Sequence, residues 1–349
     1  MTSATSRADQ LSGFDLSVCI ATMGRPDELV YLLIEILAQV ENLNVEVVIV
    51  DSSLEKNIQV VEMMQSTVHT YDWTGIPKGV DADFNRAVSI AKGKYCWLLP
   101  DDDELIPDAL ASISRELGQG FDLVLLNAIV YDDSMSHVLQ ASMVPSGTPE
   151  FLVGPVTAET LIPFSRLLSY IGSIVVQRNI WNTGVISDFF GTEFAHVGLL
   201  LMQPPQNGIR FISRPMIRIR YGNAHWESRY AKIWWKNWEG VVTRCISDPE
   251  TQRAWGVSEG WTKIRDAVCT KALDFANDDE LRERLLTDNS FSFVQSLFSR
   301  IVLNIPRLTL NNLLTFVLKI RRKKNSGILV YNLNRRRIDQ KNRAQVKNT

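Results

Sequence analysis

Short apolar runs that end at or just before carboxylates, separated by single helical stripes, occupy the first third of the chain and leave few folds open to it. Leu16–Ala21 is the first run, and Pro26 can open the helix that follows. Leu29, Leu32, Leu33, Ile36 and Leu37 then recur at helical spacing. Val45–Asp51 is a second buried strand closed by a carboxylate. Asp81–Ala91 reads as a helix stopped near Gly93, and Tyr95–Leu99 as a third strand with Asp101, Asp102 and Asp103 just beyond its end. Pro107 opens the next helix, and Phe121–Leu126 is a fourth strand. Such alternation predicts an α/β fold with a mostly parallel, Rossmann-like sheet and helices on both faces. Ligands of open sheets of this kind bind outside the carboxyl ends of the strands, where Asp51 and Asp101–Asp103 fall.

From about Val138 the pattern loosens, and Val144–Pro155, rich in proline and glycine, reads as a linking loop. Helical patterns follow at Ala158–Leu168 and Glu193–Met202, with short strands near Ile174 and over Ile209–Arg220. Ala224–Ile246 is expected to form one long helix. The expected organisation is a flexible N-terminus over 1–13 and a main α/β domain over 14–247, divided into 14–127 and 128–247. A helical C-terminal extension over 248–330 and a basic tail over 331–349, disordered at its end, complete the chain.

Three adjacent carboxylates repel one another, and gathering them at a strand end is costly unless something positive is bound. A cation that prefers oxygen, Mg²⁺ or Mn²⁺, meets that need by bridging carboxylates to substrate phosphates. The plainer alternative is a solvated acidic turn ahead of the helix at Pro107.

Four motifs from Ser17 to Pro107 resemble, in order, those of the family-two glycosyltransferases, which have the GT-A fold. Ser17-Val-Cys-Ile-Ala-Thr-Met-Gly-Arg25 is similar to that family's opening strand and turn. Val48-Ile-Val-Asp51-Ser-Ser is similar to its second strand. Gly79-Val-Asp-Ala-Asp-Phe-Asn-Arg-Ala87 is similar to the helix that precedes its third strand, and Leu99-Pro-Asp-Asp-Asp-Glu-Leu-Ile-Pro107 to its metal-binding acidic motif. The resemblance implies transfer of a sugar from a nucleotide-diphosphate sugar to a saccharide or lipid-linked saccharide, with inversion. It is closer to the members that build bacterial surface polysaccharides, including O-antigen units.

It also implies roles, with 14–247 as the catalytic domain, 14–127 its nucleotide-sugar half and 128–247 its acceptor half. Asp102 is the main metal ligand with Asp101 and Asp103 assisting, because Pro100 stands where the family's motif often begins with Asp. Thr22, Gly24, Arg25 and Asp51 hold the nucleotide, with Asp81, Asn85, Arg86 and Asp101 also on the donor side. The second strand ends Asp-Ser-Ser rather than the commoner Asp-Asp-Gly-Ser, so the base of the donor is left open. A carboxylate at the start of an acceptor-side helix should remove the acceptor proton. Glu193 fits that place, Thr192 can cap the helix, and Asp188 is the second candidate. His196 reads as the buried partner of a polar group. A late His on the metal or diphosphate would be His225, with Arg229 one turn on toward the diphosphate; a structural His and a surface ion pair are the plain alternatives.

Trp226, Tyr230, Trp234 and Trp238 recur every four residues and read as a core stripe. The body is acidic, but 291–349 carries thirteen Lys/Arg and one acidic residue, Asp339. Val294, Leu297, Phe298, Ile301, Val302 and Ile305 form a helical stripe expected to pack on the catalytic body. The clusters Arg321–Lys324 and beyond favour an anionic membrane over nucleic acid. No run approaches the roughly 20 apolar residues of a membrane span. The first fifteen residues are polar and the four cysteines are unpaired in spacing, so a cytoplasmic chain, peripheral on the cytosolic face of a membrane, is expected.

Rival readings are a nucleotidyltransferase and a non-catalytic membrane-peripheral protein that binds nucleotide sugars or other partners. The former lacks its Gly-rich loop after the first strand, and the latter leaves the acidic strand ends without a use. A dinucleotide oxidoreductase is excluded by the lack of a G-x-G-x-x-G turn.

Overall fold

The computed structural model describes residues 13–65, 69–222, 227–321 and 327–346. Most of the N-terminus expected to be flexible, together with His225, Trp226 and Arg322–Lys324, lies outside these. The strands are β1 (Leu16–Thr22), β2 (Val45–Asp51), β3 (Thr70–Trp73), β4 (Tyr95–Pro100), β5 (Glu104–Leu105), β6 (Leu123–Tyr131), β7 (Val138–Gln140), β8 (Phe151–Leu152), β9 (Ile174–Gln177) and β10 (Ile209–Arg220). The chain divides into two compact units, Met1–Ala128 with Val144–Ile219, and Ile129–Met143 with Arg220–Thr349. Along the chain the first unit thus ends at Ile219.

In the first unit the strands run in the order β3-β2-β1-β4-β9-β6-β10-β5. β1 pairs in parallel with β2 and β4, and β2 with β3. β9 enters antiparallel between β4 and β6, and β5 pairs antiparallel with β10. The parallel order expected from the sequence thus holds for β1–β4, and the sheet as a whole is mixed. β2 is buried along its whole length, as a strand covered on both sides must be.

Register fixes the site. Thr22 lies opposite Asp51, and Ala21 opposite Pro100. The residues that follow each strand, Met23–Arg25, Ser52–Ser53 and Asp101–Asp103, therefore leave the sheet at one edge. A buried polar knot pins the other end of β1. Ser17 Oγ donates to Glu46 Oε1 (2.6 Å), and the Gly93 amide donates to Ser17 Oγ (2.8 Å) and to the same carboxylate (3.1 Å).

The unit's helices are α1 (Pro26–Gln39), α2 (Ile58–Met63), α3 (Val80–Ile90), α4 (Ala109–Leu117), α5 (Ser165–Leu168), α6 (Arg178–Trp181) and α7 (Ala195–Met202). Pro26 stands at the start of α1, where its fixed φ and missing N–H cost nothing. α7 begins at Ala195, two residues later than expected. Glu193 is in the left-handed region (φ +67°) and belongs to the turn before it.

The second unit holds α8 (Glu239–Cys245), α9 (Pro249–Ala254), α10 (Gly260–Ala272), α11 (Asp278–Leu286), α12 (Phe293–Asn304), α13 (Arg307–Arg321) and α14 (Gly327–Val346). Over 227–246 the expected single helix is broken into a 3₁₀ turn, a π-helical stretch at Lys232–Trp238, and α8. The wide π turns let Trp235 Nε1 donate to Asp266 (2.6 Å) while Trp234 keeps ring contact with Trp238 (5.8 Å between centroids). Trp238 is buried and stacks on buried Trp255, as a core stripe requires.

One further expectation is corrected. Val302 enters a core with Ile264, Ala267, Leu281 and Leu285, but Val294, Leu297, Phe298 and Ile301 remain exposed. α12 is rolled so that its Ser299–Val302 edge, not the centre of the stripe, faces inward. The tail is helical to Val346, because Leu333 packs with Leu310 and Phe275 and Asn332 Nδ2 donates to Tyr221 Oη (2.8 Å).

Candidate active site

The β1 turn closes over the acidic motif. Thr22 Oγ1 donates to Asp101 Oδ2 (2.7 Å), and one guanidinium nitrogen of Arg25, Nη1, lies 3.0 Å from Asp101 Oδ1 and 2.6 Å from Asp102 Oδ2. Gly24, at φ +70°, provides the sharp turn, and its amide donates to Ser53 Oγ (2.8 Å) beside Asp51. The cation demanded by the carboxylate cluster is thus partly supplied by the chain itself. Burial pushes Asp101 up to about 6, with the charge of Asp102 adding to it and Arg25 and Thr22 opposing. Asp103 is drawn to another partner: the hydroxyl of half-buried Tyr170 donates to its Oδ2 (2.5 Å).

Asp51 is buried at the end of β2, where Tyr71 Oη donates to Oδ2 (2.5 Å) and the Ser53 amide to Oδ1 (2.9 Å). Trp73 lies opposite Asp51 in the β2–β3 ladder and is about half exposed, with its indole N–H on the Ser53 carbonyl (2.9 Å). Ser52 Oγ donates to the buried Asp83 (2.9 Å) at the start of α3.

Asp81 binds the turn ahead of α7. Its carboxylate accepts from the amides of Gly191 (2.9 Å), Glu193 (2.8 Å) and Ala195 (3.2 Å). Burial raises its pKa, and these three N–H groups oppose that rise. The turn they fix holds Glu193 in its left-handed conformation, which costs a non-glycine residue about 1–2 kcal/mol. Thr192 Oγ1 accepts from the Phe194 amide (3.1 Å) in the same turn.

Asn85 and Arg86 also have partners within the fold. Trp181 Nε1 donates to Asn85 Oδ1 (3.1 Å), and exposed Arg86 pairs with Asp72 (2.9 Å). Asp188 is exposed on the 3₁₀ turn Val185–Phe189. His196 is fully buried with Nε2 on the Leu168 carbonyl (2.8 Å), and burial lowers its pKa to about 4, so it is neutral. Arg229 is exposed in the second unit, and His225 lies outside the described residues. Sequence reasoning did not find Tyr71, Trp73, Asp83 or Tyr170. A tyrosine on an edge strand or a 3₁₀ turn carries no periodic signal, and only the folded chain brings it to its carboxylate.

Residues 17–178, which include β1–β4, the acidic motif and Tyr170, match the model of glycosyl transferase family 2. This segment is a family 2 glycosyltransferase domain. The α/β sheet expected from the sequence, of GT-A type, accords with that match over these residues. It is 26% identical to abequosyltransferase RfbV of Salmonella typhimurium over 229 residues, covering 61% of this chain and 69% of that one. Similar solved structures include the 1–349 segment of S. aureus TarS in complex with UDP (TM-score 0.49, 12% identity, 82% and 87% of the two chains). A second is mannosyltransferase PcManGT of Pyrobaculum calidifontis in complex with GDP-Man and Mn²⁺ (TM-score 0.49, 12% identity, 93% and 88%).

Proposed function

We propose that this glycosyltransferase moves a hexosyl or deoxyhexosyl group from a nucleotide-diphosphate sugar to a hydroxyl of a saccharide or lipid-linked saccharide. Transfer proceeds with inversion, during synthesis of a bacterial surface polysaccharide. The family 2 domain and the likeness to an abequosyltransferase support this reading. We also propose a cytoplasmic location at the cytosolic face of the membrane, where such acceptors are assembled.

The observation that carries the mechanism is the convergence of Asp101 and Asp102 on one cationic nitrogen, at the edge where β1, β2 and β4 end. Among the described residues no group of three or more His, Cys, Asp or Glu is poised around one point. Two carboxylates completed by substrate phosphates are the usual donor set for Mg²⁺ or Mn²⁺, so the residues present fit such an ion. Asp101 and Asp102 would hold it, with Asp103 tied back through Tyr170. When bound, the ion neutralises charge on the departing diphosphate. Arg25, released from the two carboxylates, is placed to contact the same diphosphate. Thr22 keeps Asp101 oriented, and Asp51 with the Gly24 turn holds the nucleoside.

Glu193 is assigned as the base that takes the acceptor proton, held in place by the Asp81 carboxylate. Proton removal as the hydroxyl attacks the anomeric carbon requires no covalent intermediate on the chain.

The test is thermal stability with UDP-, GDP-, CDP- and dTDP-sugars, with and without Mn²⁺, followed by turnover of the stabilising donor in wild type and Asp102→Ala. One sugar nucleotide should stabilise the protein in a Mn²⁺-dependent way, and the substitution should remove turnover. Equal turnover in both proteins would defeat the metal assignment, and no stabilisation by any donor would defeat the donor site.

A further inference from the structure

We propose that α12 and α13 form a docking surface for an anionic lipid bilayer. Among the described residues, nine large apolar side chains that stay exposed fall between Phe293 and Ile320. On α12 the outward stripe is Phe293, Val294, Leu297, Phe298 and Ile301; Phe293 is 83% exposed and Leu297 51%. On α13, Leu313, Phe316 and Ile320 recur at i, i+3 and i+7 on one face, each more than half exposed. Neither stripe is the leftover edge of a core. The inward edges are separately occupied, by Ser299 and Val302 on α12 and by Leu310 and Asn311 on α13. Exposed apolar stripes on two successive helices mark an interaction site.

Charge decides the occupant. Neither helix contains an acidic residue, and Arg300 and Lys319 are exposed beside the apolar stripes. Across 291–349 there are thirteen Lys/Arg and one acidic residue. A second copy of the chain would bring two such cationic segments together, which costs energy at each approach. Anionic headgroups reverse that sign, and each basic side chain near them adds to the attraction.

The geometry points to a helix pair lying in the interface. The twelve residues of α12 reach about 18 Å and the fifteen of α13 about 22 Å, short of a bilayer core of about 30 Å. The two are bent by 110°. Helices of this composition seat their apolar face at the headgroup boundary. The proposal uses no feature of the donor site and stands apart from the transferase mechanism.

The experiment is flotation of the full chain with vesicles of phosphatidylcholine containing one quarter phosphatidylglycerol, against phosphatidylcholine alone. The wild type should bind the anionic vesicles at least tenfold better, and 0.5 M NaCl should release most of it. Leu297→Ser with Phe316→Ser should lower binding at least tenfold, with the circular dichroism spectrum and the thermal stabilisation by donor unchanged. Both side chains are exposed, so their truncation removes no core packing, and each single variant should show a partial loss. No binding of the wild type to anionic vesicles would overturn the proposal. So would undiminished binding of the double variant, or a solution dimer that the double variant dissociates.

Discussion

Arg25 Nη1 stands 2.6 Å from Asp102 Oδ2, and the same nitrogen reaches Asp101 at 3.0 Å. A side chain of the β1 turn therefore sits where the acidic motif would take a divalent ion. Both groups are largely buried, so removing the cation leaves two carboxylates crowded together. Arg25→Gln should destabilise the protein without metal by about 1–3 kcal/mol. Mn²⁺ should then stabilise the variant more than it stabilises the wild type. Thermal melts with and without Mn²⁺ check this, and a variant indifferent to Mn²⁺ would show that the carboxylates bind none.

Asp81 ties the Glu193 turn to α3 through three backbone amides. Asp81→Asn keeps one acceptor oxygen but turns an amide group toward N–H donors. It should cost about 2 kcal/mol of stability and lower kcat, with donor KM little changed. Glu193→Gln should lower kcat by about 10²–10⁴ with stability and donor binding retained. Steady-state kinetics varying donor and acceptor separately measure both. A Glu193→Gln enzyme with normal kcat would remove the base assignment.

His196 sets an acid limit. Its folded pKa of about 4 lies below the ordinary 6.5, so the folded state binds this proton less readily than the unfolded chain. The stability it contributes is complete above about 6.5 and is lost as pH falls through 4. The amount is roughly 3 kcal/mol. Urea unfolding at pH 7 and pH 4 should show the wild type losing that much more than His196→Gln. Parallel losses in the two proteins would mean that the imidazole is not responsible.

Gly93 tests the polar knot beneath β1. A Cβ built there would come within 2.6 Å of the Ser17 amide nitrogen, against backbone that cannot yield. Gly93→Ala should destabilise the protein by about 1–3 kcal/mol. Chemical denaturation checks it, and a loss below 0.5 kcal/mol would show that β1 and the β4 entry separate more easily than their hydrogen bonds imply.

Much of the first unit was legible because its signals are local. The β1, β2 and β4 runs, Pro26 at the start of α1 and the carboxylates at the strand ends can each be read within a few residues. What escaped involved partners distant in sequence. Asp81 looked like a donor residue at the start of a helix, and its contacts with Glu193 and Ala195 lie over a hundred residues away. The α12 periodicity showed that one face was apolar, yet it could not tell which edge the neighbouring helices would cover. The 3.6-residue pattern likewise concealed the π turns at Lys232–Trp238, because a wider turn changes the backbone and not the composition.

The order of apolar runs and acidic ends alone determined an α/β sheet with its chemistry at one edge, since buried strands must be apolar and carboxylates cannot follow them into the core. Only the tertiary structure decided what those carboxylates meet. Parallel register sets Thr22 against Asp51 and carries Arg25 onto Asp101 and Asp102, and a side chain's partner is fixed by distances that exist only once the strands have paired.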